Sequence, residues 1–323
     1  MADLNLQPYT PTYFDRWNRF VSEANSGTIF HRLDFLQYHQ EKFSDKENHL
    51  MWMKGEHIFS VMPMAVFNVG EKKIAKSPYG GSFGGIVTNK ALSYRDAAKV
   101  ASTLKSYLIE KEIRECIITP PVSILCRNFS ETLNFALLEI GFSFSNSDIA
   151  SILKLKDVDL EDNLFTSNAR NMARKGRKEG VEIILNAKLE DFWKVLELTY
   201  AKHGTKSTHT FEEWSYLSKT FPRNFWCDVA YFEGKPLAGI GHVRINEQTD
   251  SSFYLASDPE TANKQGLSLL IYETLLNSQR QGFEYFDFGT SSVNMQARAN
   301  IFQFKESFGA NGYFRHSLKL ELI

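Results

Sequence analysis

The chain contains the same succession of apolar strands, glycine turns and amphipathic helices twice. Residues 51–68 and 229–246 each predict two strands joined by a tight turn, centred on Gly55 in the first copy and on Gly234 in the second. In both copies the hairpin is followed by a helix, a strand, a second helix and a last strand. This repeat predicts a duplicated mixed α/β (α+β) protein with two consecutive domains.

The later elements keep the same order in both copies. Gly141 and Gly309 each follow a predicted helix and precede a final strand, where glycine commonly ends a helix. We place the domain border after residue 152, which gives predicted domains of 1–152 and 153–323. The helices predicted from apolar periodicity are 96–111 and 131–142 in the first copy, and 264–281 and 296–308 in the second.

Composition and charge restrict the function classes. The formal net charge is −1 and the isoelectric point is about 6.7, so we expect no DNA partner and no electrostatic pull toward anionic membranes. No window approaches the roughly 18 apolar residues of a transmembrane segment. Three cysteines, Cys116, Cys126 and Cys227, cannot all pair, and neither they nor the histidines show metal-ligand spacing. We therefore expect a cytoplasmic protein without a metal.

Two charged residues stand out near the C-terminal end. Helical spacing places Lys305 on one face with Ile301, Phe304 and Phe308. A lysine in an aromatic stripe is costly unless its amine reaches water or meets an anion. Asp287 lies in an apolar strand, where its carboxylate would hold Lys305, cap the following turn or act as a base.

Two further segments suggest ligand contacts. Residues 170–178 contain five basic side chains, and on a helix Arg170 and Arg174 share a face that fits a diphosphate or an RNA backbone. A solvated charged surface is the alternative. The glycine-rich segment 77–87 contains Tyr79, and it predicts either close backbone approach to a ligand or a simple turn.

Three segments resemble the FemAB-like proteins, which include the peptidyl transferases that build peptidoglycan cross-bridges and shorter acyltransferases. Residues 26–36 (SGTIFHRLDFL) are similar to the initial segment of that family. Residues 168–181 (NARNMARKGRKEGV) resemble its basic helix, and residues 282–309, with YFDFG and FQFKESFG, match its characteristic ending. The chain departs from the peptidoglycan enzymes at His39, which falls roughly where they carry a phosphate-contacting lysine. It also lacks the coiled-coil arm that some of them insert.

The resemblance implies two tandem GNAT-like domains, with the acyl-donor site in the second. Phe304 would shape that site, and Lys305 would stabilise charge that develops on the bond being broken. Tyr254, on the strand SSFYLASD, would either protonate the leaving atom or pack in the core. The turn into the next helix would bind the phosphates of the donor, or would be an ordinary helix start. The residues implied for that turn are Asn263, Lys264, Gly266 and Ser268.

The function implied by this resemblance is N-acyl transfer from acyl-CoA (acetyl-CoA) to an amine. The acceptor would be a small, phosphorylated cell-envelope or sugar precursor. Aminoacyl-tRNA is the alternative donor, and a non-catalytic ligand-binding protein with the same fold is a third possibility. The near-zero net charge and the missing arm favour acyl-CoA. The residues proposed to contact the acceptor are Arg170, Arg174, Tyr79 and His39.

Overall fold

A computed structural model describes residues 3–322, which divide into two compact units. The first unit runs to Asp148 and also includes the chain from Phe314 onward, and the second unit is Ile149–Tyr313. The predicted domains 1–152 and 153–323 remain a proposal. They divide the chain at one point, whereas the first unit also includes the terminal segment.

The described part of the first unit contains strands, helices and short 3-10 turns. Its strands are β1 (Leu4–Pro8), β2 (Leu50–Lys54), β3 (His57–Met62), β4 (Ala65–Val69), β5 (Lys72–Ser77), β6 (Val87–Thr88), β7 (Ile113–Ile118), the first part of β8 (Ser143–Lys154) and the last part of β16 (Asn311–Glu321). Its helices are α1 (Phe14–Glu23), α2 (Leu33–Leu36), α3 (Tyr94–Glu110) and α4 (Thr132–Glu139).

Two sheets form this unit. One has the strand order β1-β2-β3-β6, and the other contains β4, β5 and β7, with β5 and β7 parallel. The hairpin predicted around Gly55 is confirmed, since β2 and β3 pair antiparallel and Gly55 has φ +62° at the turn. The prediction that its second strand continues to residue 68 is wrong. Pro63, which has no N–H to donate, follows β3, and β4 pairs with β5 instead.

Helix α3 shows why the helix prediction works. Ser93 caps its start, with the hydroxyl accepting a hydrogen bond from the N–H of Asp96. The helix buries a stripe that includes Ala97, Val100 and Leu104, spaced at three and four residues. This stripe packs into the core of the first unit.

The second unit holds the remaining elements of the described chain. Its strands are the last part of β8, β9 (Glu182–Ile184), β10 (Phe225–Phe232), β11 (Lys235–Val243), β12 (Thr249–Ser257), β13 (Tyr285–Thr290), β14 (Ser292–Val293), β15 (Gln296–Ala297) and the start of β16 (Asn311–Glu321). Its helices are α5 (Ser167–Lys178), α6 (Leu189–His203), α7 (Phe211–Thr220), α8 (Gly266–Arg280) and α9 (Ala299–Ser307).

The main sheet of this unit has the order β8-β13-β12-β11-β10-β9, and β12 and β13 are its parallel pair. The hairpin of β10 and β11 is confirmed, with positive φ at Glu233 and Gly234 as a type I′ turn requires. The predicted start of the last helix at residue 296 is wrong, because β15 pairs with β14 and α9 begins at Ala299. Among residues 3–322, no helix is long and apolar enough to cross a bilayer.

Candidate functional site

Two parallel strands of the second unit diverge, and the gap between them is the candidate site. β12 and β13 pair over three residues each, and the last pair is Ser251 with Asp287. Beyond it β12 continues to Ser257 and β13 to Thr290. On the other side of β12, the pairing with β11 shifts so that Phe253 is an extra, bulged residue. The backbone edges of the two strands therefore face a gap rather than each other.

Lys305 lies in the last turn of α9 and reaches the end of β13. Its side chain is 4% exposed, and Nζ donates to the carbonyl oxygens of Gly289 and Thr290, each at 2.9 Å. The neighbouring Phe304 is half-buried, with its ring 5.5 Å from that of Phe308. The alternative in which the amine of Lys305 reaches water is wrong, because the amine is buried and bonded to backbone oxygens.

Asp287 contacts the same turn from the strand. Its Oδ1 accepts a hydrogen bond from the N–H of Gly289 at 2.8 Å, and its side chain is buried. Gly289 has φ +73°, a left-handed conformation that suits glycine. Burial lowers the pKa of Lys305 to about 8, and the Asp287 carboxylate limits that fall. An ammonium and a carboxylate thus share the end of β13.

Tyr254 lies on β12 beyond the last pair with β13. Its hydroxyl oxygen accepts a hydrogen bond from the N–H of His209 at 3.1 Å and lies 2.9 Å from Nδ1 of the same residue. The ring packs against Trp214 and Phe253, with centroids 5.1 and 4.9 Å away. Burial raises the pKa of Tyr254 well above its ordinary value, so the hydroxyl keeps its proton. The packed tyrosine is observed, and the role in protonation stays a prediction.

Comparison with known proteins identifies the architecture. No protein-family profile and no curated protein sequence matches the chain. The solved structure of FemX aligns over 98% of this chain and 97% of its own, at 10% identity and a TM-score of 0.72. L-PGS from Bacillus licheniformis aligns over 97% of this chain and 93% of its own, at 12% identity and a TM-score of 0.60.

A third structure matches over a similar span. A tandem GNAT protein from the clavulanic acid biosynthesis pathway covers 99% of this chain and 98% of its own, at 11% identity and a TM-score of 0.53. The chain has the tandem GNAT fold. This finding confirms the predicted fold class of two tandem GNAT-like domains. At identities this low the similarity establishes the fold and not the activity, so the chemistry has to be argued from the residues.

In this GNAT fold, the predicted phosphate-binding turn joins β12 to α8. Asn263 and Lys264 end a 3-10 helix (Pro259–Lys264), and Gly266 is the first residue of α8. A Cβ placed on Gly266 would lie 1.8 Å from Cδ1 of Leu237. A side chain at this position would therefore displace Leu237 on β11, and phosphate binding at the turn stays a prediction.

Helix α5 occupies part of the space around that turn. A Cβ on Gly176 would lie 3.2 Å from the carbonyl oxygen of Gln265, so the two helices approach closely. Nζ of Lys264 pairs with Oε2 of Glu179 at 2.9 Å. The hydroxyl of Ser268 lies 3.3 Å from the Gln265 amide oxygen and donates to it. Lys264 and Ser268, which were predicted to bind the acyl donor, thus have partners within the protein.

The basic helix predicted from the sequence is α5, and its arginines differ in their partners. Nη1 of Arg170 donates to two backbone carbonyls of the preceding segment. Arg177 forms an ion pair with Glu273 on α8. Arg174 is exposed, and its Nη1 donates to Oδ1 of Asn171 at 3.3 Å. Arg170 therefore has a bracing role, because it holds the segment before α5. Of the two predicted arginines, Arg174 is the one that is open to solvent, and its contact with a ligand stays a prediction.

Tyr79 and His39 belong to the first unit. The Tyr79 hydroxyl donates to Oε1 of Glu47 at 3.0 Å, and Nε2 of His39 lies 2.9 Å from the carbonyl oxygen of Gly80. Gly80 has φ +81°, and a Cβ there would lie 2.1 Å from Nε2 of His39. Both side chains hold the loop after β5, and their contact with an acceptor stays a prediction.

The sequence did not reveal the buried ionic cluster that surrounds His242 in the second unit. His242 is 1% exposed, with Nε2 3.1 Å from Oδ2 of Asp228 and Nδ1 3.1 Å from Oδ1 of Asp250. Thr274 and Ser278 of α8 donate to these carboxylates at 3.1 and 2.7 Å. The available signal was Asp228 inside the apolar strand FWCDVAYF, followed by His242 on the next strand. The described residues hold no group of side chains placed to bind a metal ion.

Proposed function

We propose that the protein is an N-acyltransferase that moves an acyl group from an activated ester or thioester onto an amine. The observation that carries this proposal is the buried amine of Lys305 beside Asp287, at the point where β12 and β13 stop pairing. A cation fixed in a water-poor site stabilises developing negative charge more strongly than one in water does. Lys305 and Asp287 are the proposed catalytic groups.

The reaction forms a bond from the acceptor nitrogen to the acyl carbon and breaks the bond from that carbon to the sulfur or oxygen of the donor. Negative charge grows first on the carbonyl oxygen and then on the leaving atom. The Lys305 ammonium has three N–H groups, of which two bond to Gly289 and Thr290, and the third is assigned to this charge. Tyr254 is the proposed proton donor to the leaving atom, and the proton lost by the amine balances that step.

Acyl-CoA is the proposed donor. The first N–H groups of α8 belong to Gly266, Leu267 and Ser268, and such groups have no acceptor inside their own helix. A helix start of this kind attracts phosphate. The net charge of −1 also fits a small donor better than a long RNA backbone.

Aminoacyl-tRNA is the second candidate donor. It is favoured by the close approach of α5 to the first turn of α8, and by the ion pair of Lys264 with Glu179, which reduce the room for a diphosphate there. The exposed Arg174 on α5 would then contact the RNA backbone. The resemblance of the sequence to cross-bridge peptidyl transferases supports the same candidate.

The proposed acceptor is an amine of a small, phosphorylated cell-envelope or sugar precursor, and the proposed location is the cytoplasm. A direct assay incubates the protein with acetyl-CoA and a panel of such amines and measures the release of free thiol. Parallel reactions with aminoacyl-tRNA measure transfer to the same amines. We expect thiol release that requires both the amine and Lys305, with the Lys305→Met variant as the control.

Transfer from aminoacyl-tRNA alone would select the second donor. Binding of a donor without turnover against any amine would contradict the proposal and favour a ligand-binding protein. Binding is measured by thermal unfolding, because a ligand specific for the folded state raises the midpoint as its concentration exceeds Kd.

A further inference from the structure

A cavity of about 400 Å³ lies within the first unit, and its walls are of two kinds. Phe14, Leu33 and Leu36 give it an apolar wall, and both leucines are buried. Glu47 and His49 give it a polar end. A volume of this size falls in the range of small-molecule sites, and an apolar wall with a few polar groups is their usual composition.

The carboxylate of Glu47 is the charged group at the polar end. The Tyr79 hydroxyl donates to its Oε1 at 3.0 Å. Its Oε2 lies 3.7 Å from Nε2 of His49, whose Nδ1 accepts a hydrogen bond from the N–H of Met64 at 3.3 Å. Because Nδ1 is an acceptor, the neutral ring carries its proton on Nε2 and directs it toward Glu47. The Tyr79 hydroxyl and Nε2 of His49 thus both face the carboxylate of Glu47.

No lysine or arginine offsets the charge of Glu47 within the described lining of the cavity. Burial disfavours ionisation of Glu47, but the hydrogen bonding and charge of His49, the hydrogen bond of Tyr79 and the charge of His39 outweigh it and hold its pKa below the ordinary value. Burial and the nearby Glu47 charge also raise the pKa of Tyr9, which lines the cavity.

Aromatic rings surround this charge. The Tyr9 ring lies 5.7 Å from that of His49 and 5.5 Å from that of Trp17. The His49 ring stacks on Tyr79 at 6.0 Å. Aromatic faces attract cations, and their attraction adds to that of a carboxylate. About a third of the Glu47 side chain (35%) is exposed, so a ligand in the cavity can reach it.

We propose that this cavity binds an alkylammonium group, with the ammonium on Glu47 and the carbon chain along Phe14, Leu33 and Leu36. The ligand class is a primary amine on an unbranched chain of a few carbons. This site is formed by first-unit residues alone, and the proposal stands whether or not the second unit transfers acyl groups. An ammonium paired with a carboxylate has no free lone pair, so the group held here is recognised and is not acylated.

The test measures binding of n-pentylamine at pH 7 by calorimetry or by ligand-observed NMR. Methylamine and n-pentanol are the matched probes, one without the chain and one without the charge. The variants are Glu47→Gln, which keeps an acceptor for Tyr79, and Glu41→Gln, an exposed acidic residue outside the lining. Thermal unfolding of each variant verifies that it is folded.

We expect Glu47→Gln to weaken the binding of n-pentylamine roughly 10- to 100-fold, as loss of one charged hydrogen bond does. Glu41→Gln should bind as the parent does, and both matched probes should bind more weakly than n-pentylamine. The proposal is overturned if pentanol binds as tightly as the amine, if methylamine matches it, or if a folded Glu47→Gln protein keeps full affinity. It is also overturned if none of these probes binds the parent protein.

Discussion

The buried histidine of the second unit gives a prediction about stability and pH. His242 lies between Asp228 and Asp250, and all three side chains are 1% exposed or less. Burial alone would lower the pKa of the imidazole, but the two carboxylates outweigh it and raise the pKa to about 10. The cluster therefore contains an imidazolium between two carboxylates at neutral pH.

The size of the effect follows from linkage between proton binding and folding. The imidazole pKa is 6.5 in the reference state and about 10 in the folded state, a difference worth roughly 5 kcal/mol of unfolding free energy. Because the folded pKa is the higher one, this stability is fully present below pH 6.5 and is lost as pH rises toward 10. Between pH 6 and pH 9 the loss should be roughly 3 kcal/mol. The lowered pKa of Asp228 adds stability that is lost only in acid.

The assay compares urea unfolding of the parent and of His242→Gln from pH 6 to pH 9. At pH 6 the variant should be less stable by about 3–5 kcal/mol, because two buried carboxylates lose their cation. Its stability should also change less with pH over this range. ¹⁵N-histidine NMR should show His242 still protonated at pH 8. A neutral ring at pH 8, or equal pH dependence in the two proteins, would refute the reasoning.

Two further predictions concern packing in the second unit. Gly266→Ala should destabilise the protein by about 1–3 kcal/mol, because the new methyl overlaps Leu237. The double variant with Leu237→Ala should lose less stability than the sum of the two single variants, because the overlap is absent from it. Thermal unfolding checks this, and an unchanged midpoint would show that Leu237 can move aside for a side chain at the turn. Arg170→Ala should lower the midpoint, since two backbone carbonyls lose their donor, whereas the exposed Arg174→Ala should not. Equal midpoints would contradict the bracing role of Arg170.

The repeated pattern was enough to predict a duplicated mixed α/β protein, because strand alternation and helical periodicity are local. The tandem GNAT fold was predicted from the resemblance of three segments to a known family. The turns at Gly55 and Gly234 could be predicted since each requires a residue that tolerates positive φ. The wrong predictions concern residues whose secondary structure depends on which strand they pair with. Gln296 and Ala297 have a helical pattern in sequence, but they pair with β14, and this contact depends on the tertiary structure.

The candidate site was predictable in part. Helical spacing singled out Lys305, because a cation within an apolar stripe needs an explanation. Its actual partners are backbone carbonyls of Gly289 and Thr290, and backbone groups leave no signature in a sequence. The carboxylate partners of His242 were missed because they lie on other strands, and only strand register brings the three side chains together.

Kinetics of Lys305 variants test the central claim most directly. Lys305→Met keeps the volume of the side chain and removes its charge, and Lys305→Arg keeps a charge that does not titrate below pH 12. With the donor and amine identified by the assay above, Lys305→Met should lower kcat about 10²–10³-fold, as loss of one electrostatic contact does. Its unfolding midpoint should fall, because the carbonyls of Gly289 and Thr290 lose their donor, so turnover is compared at temperatures where both proteins are folded. Lys305→Arg should retain part of the rate.

The same experiment has a pH readout. The ratio of parent to Lys305→Arg turnover should fall above about pH 8, where the lysine loses its proton and the arginine does not. This ratio cancels the titration of the acceptor amine, which both enzymes share. Full turnover by Lys305→Met on the true substrate would contradict the account, and Lys305 would then be only the buried end of a core helix.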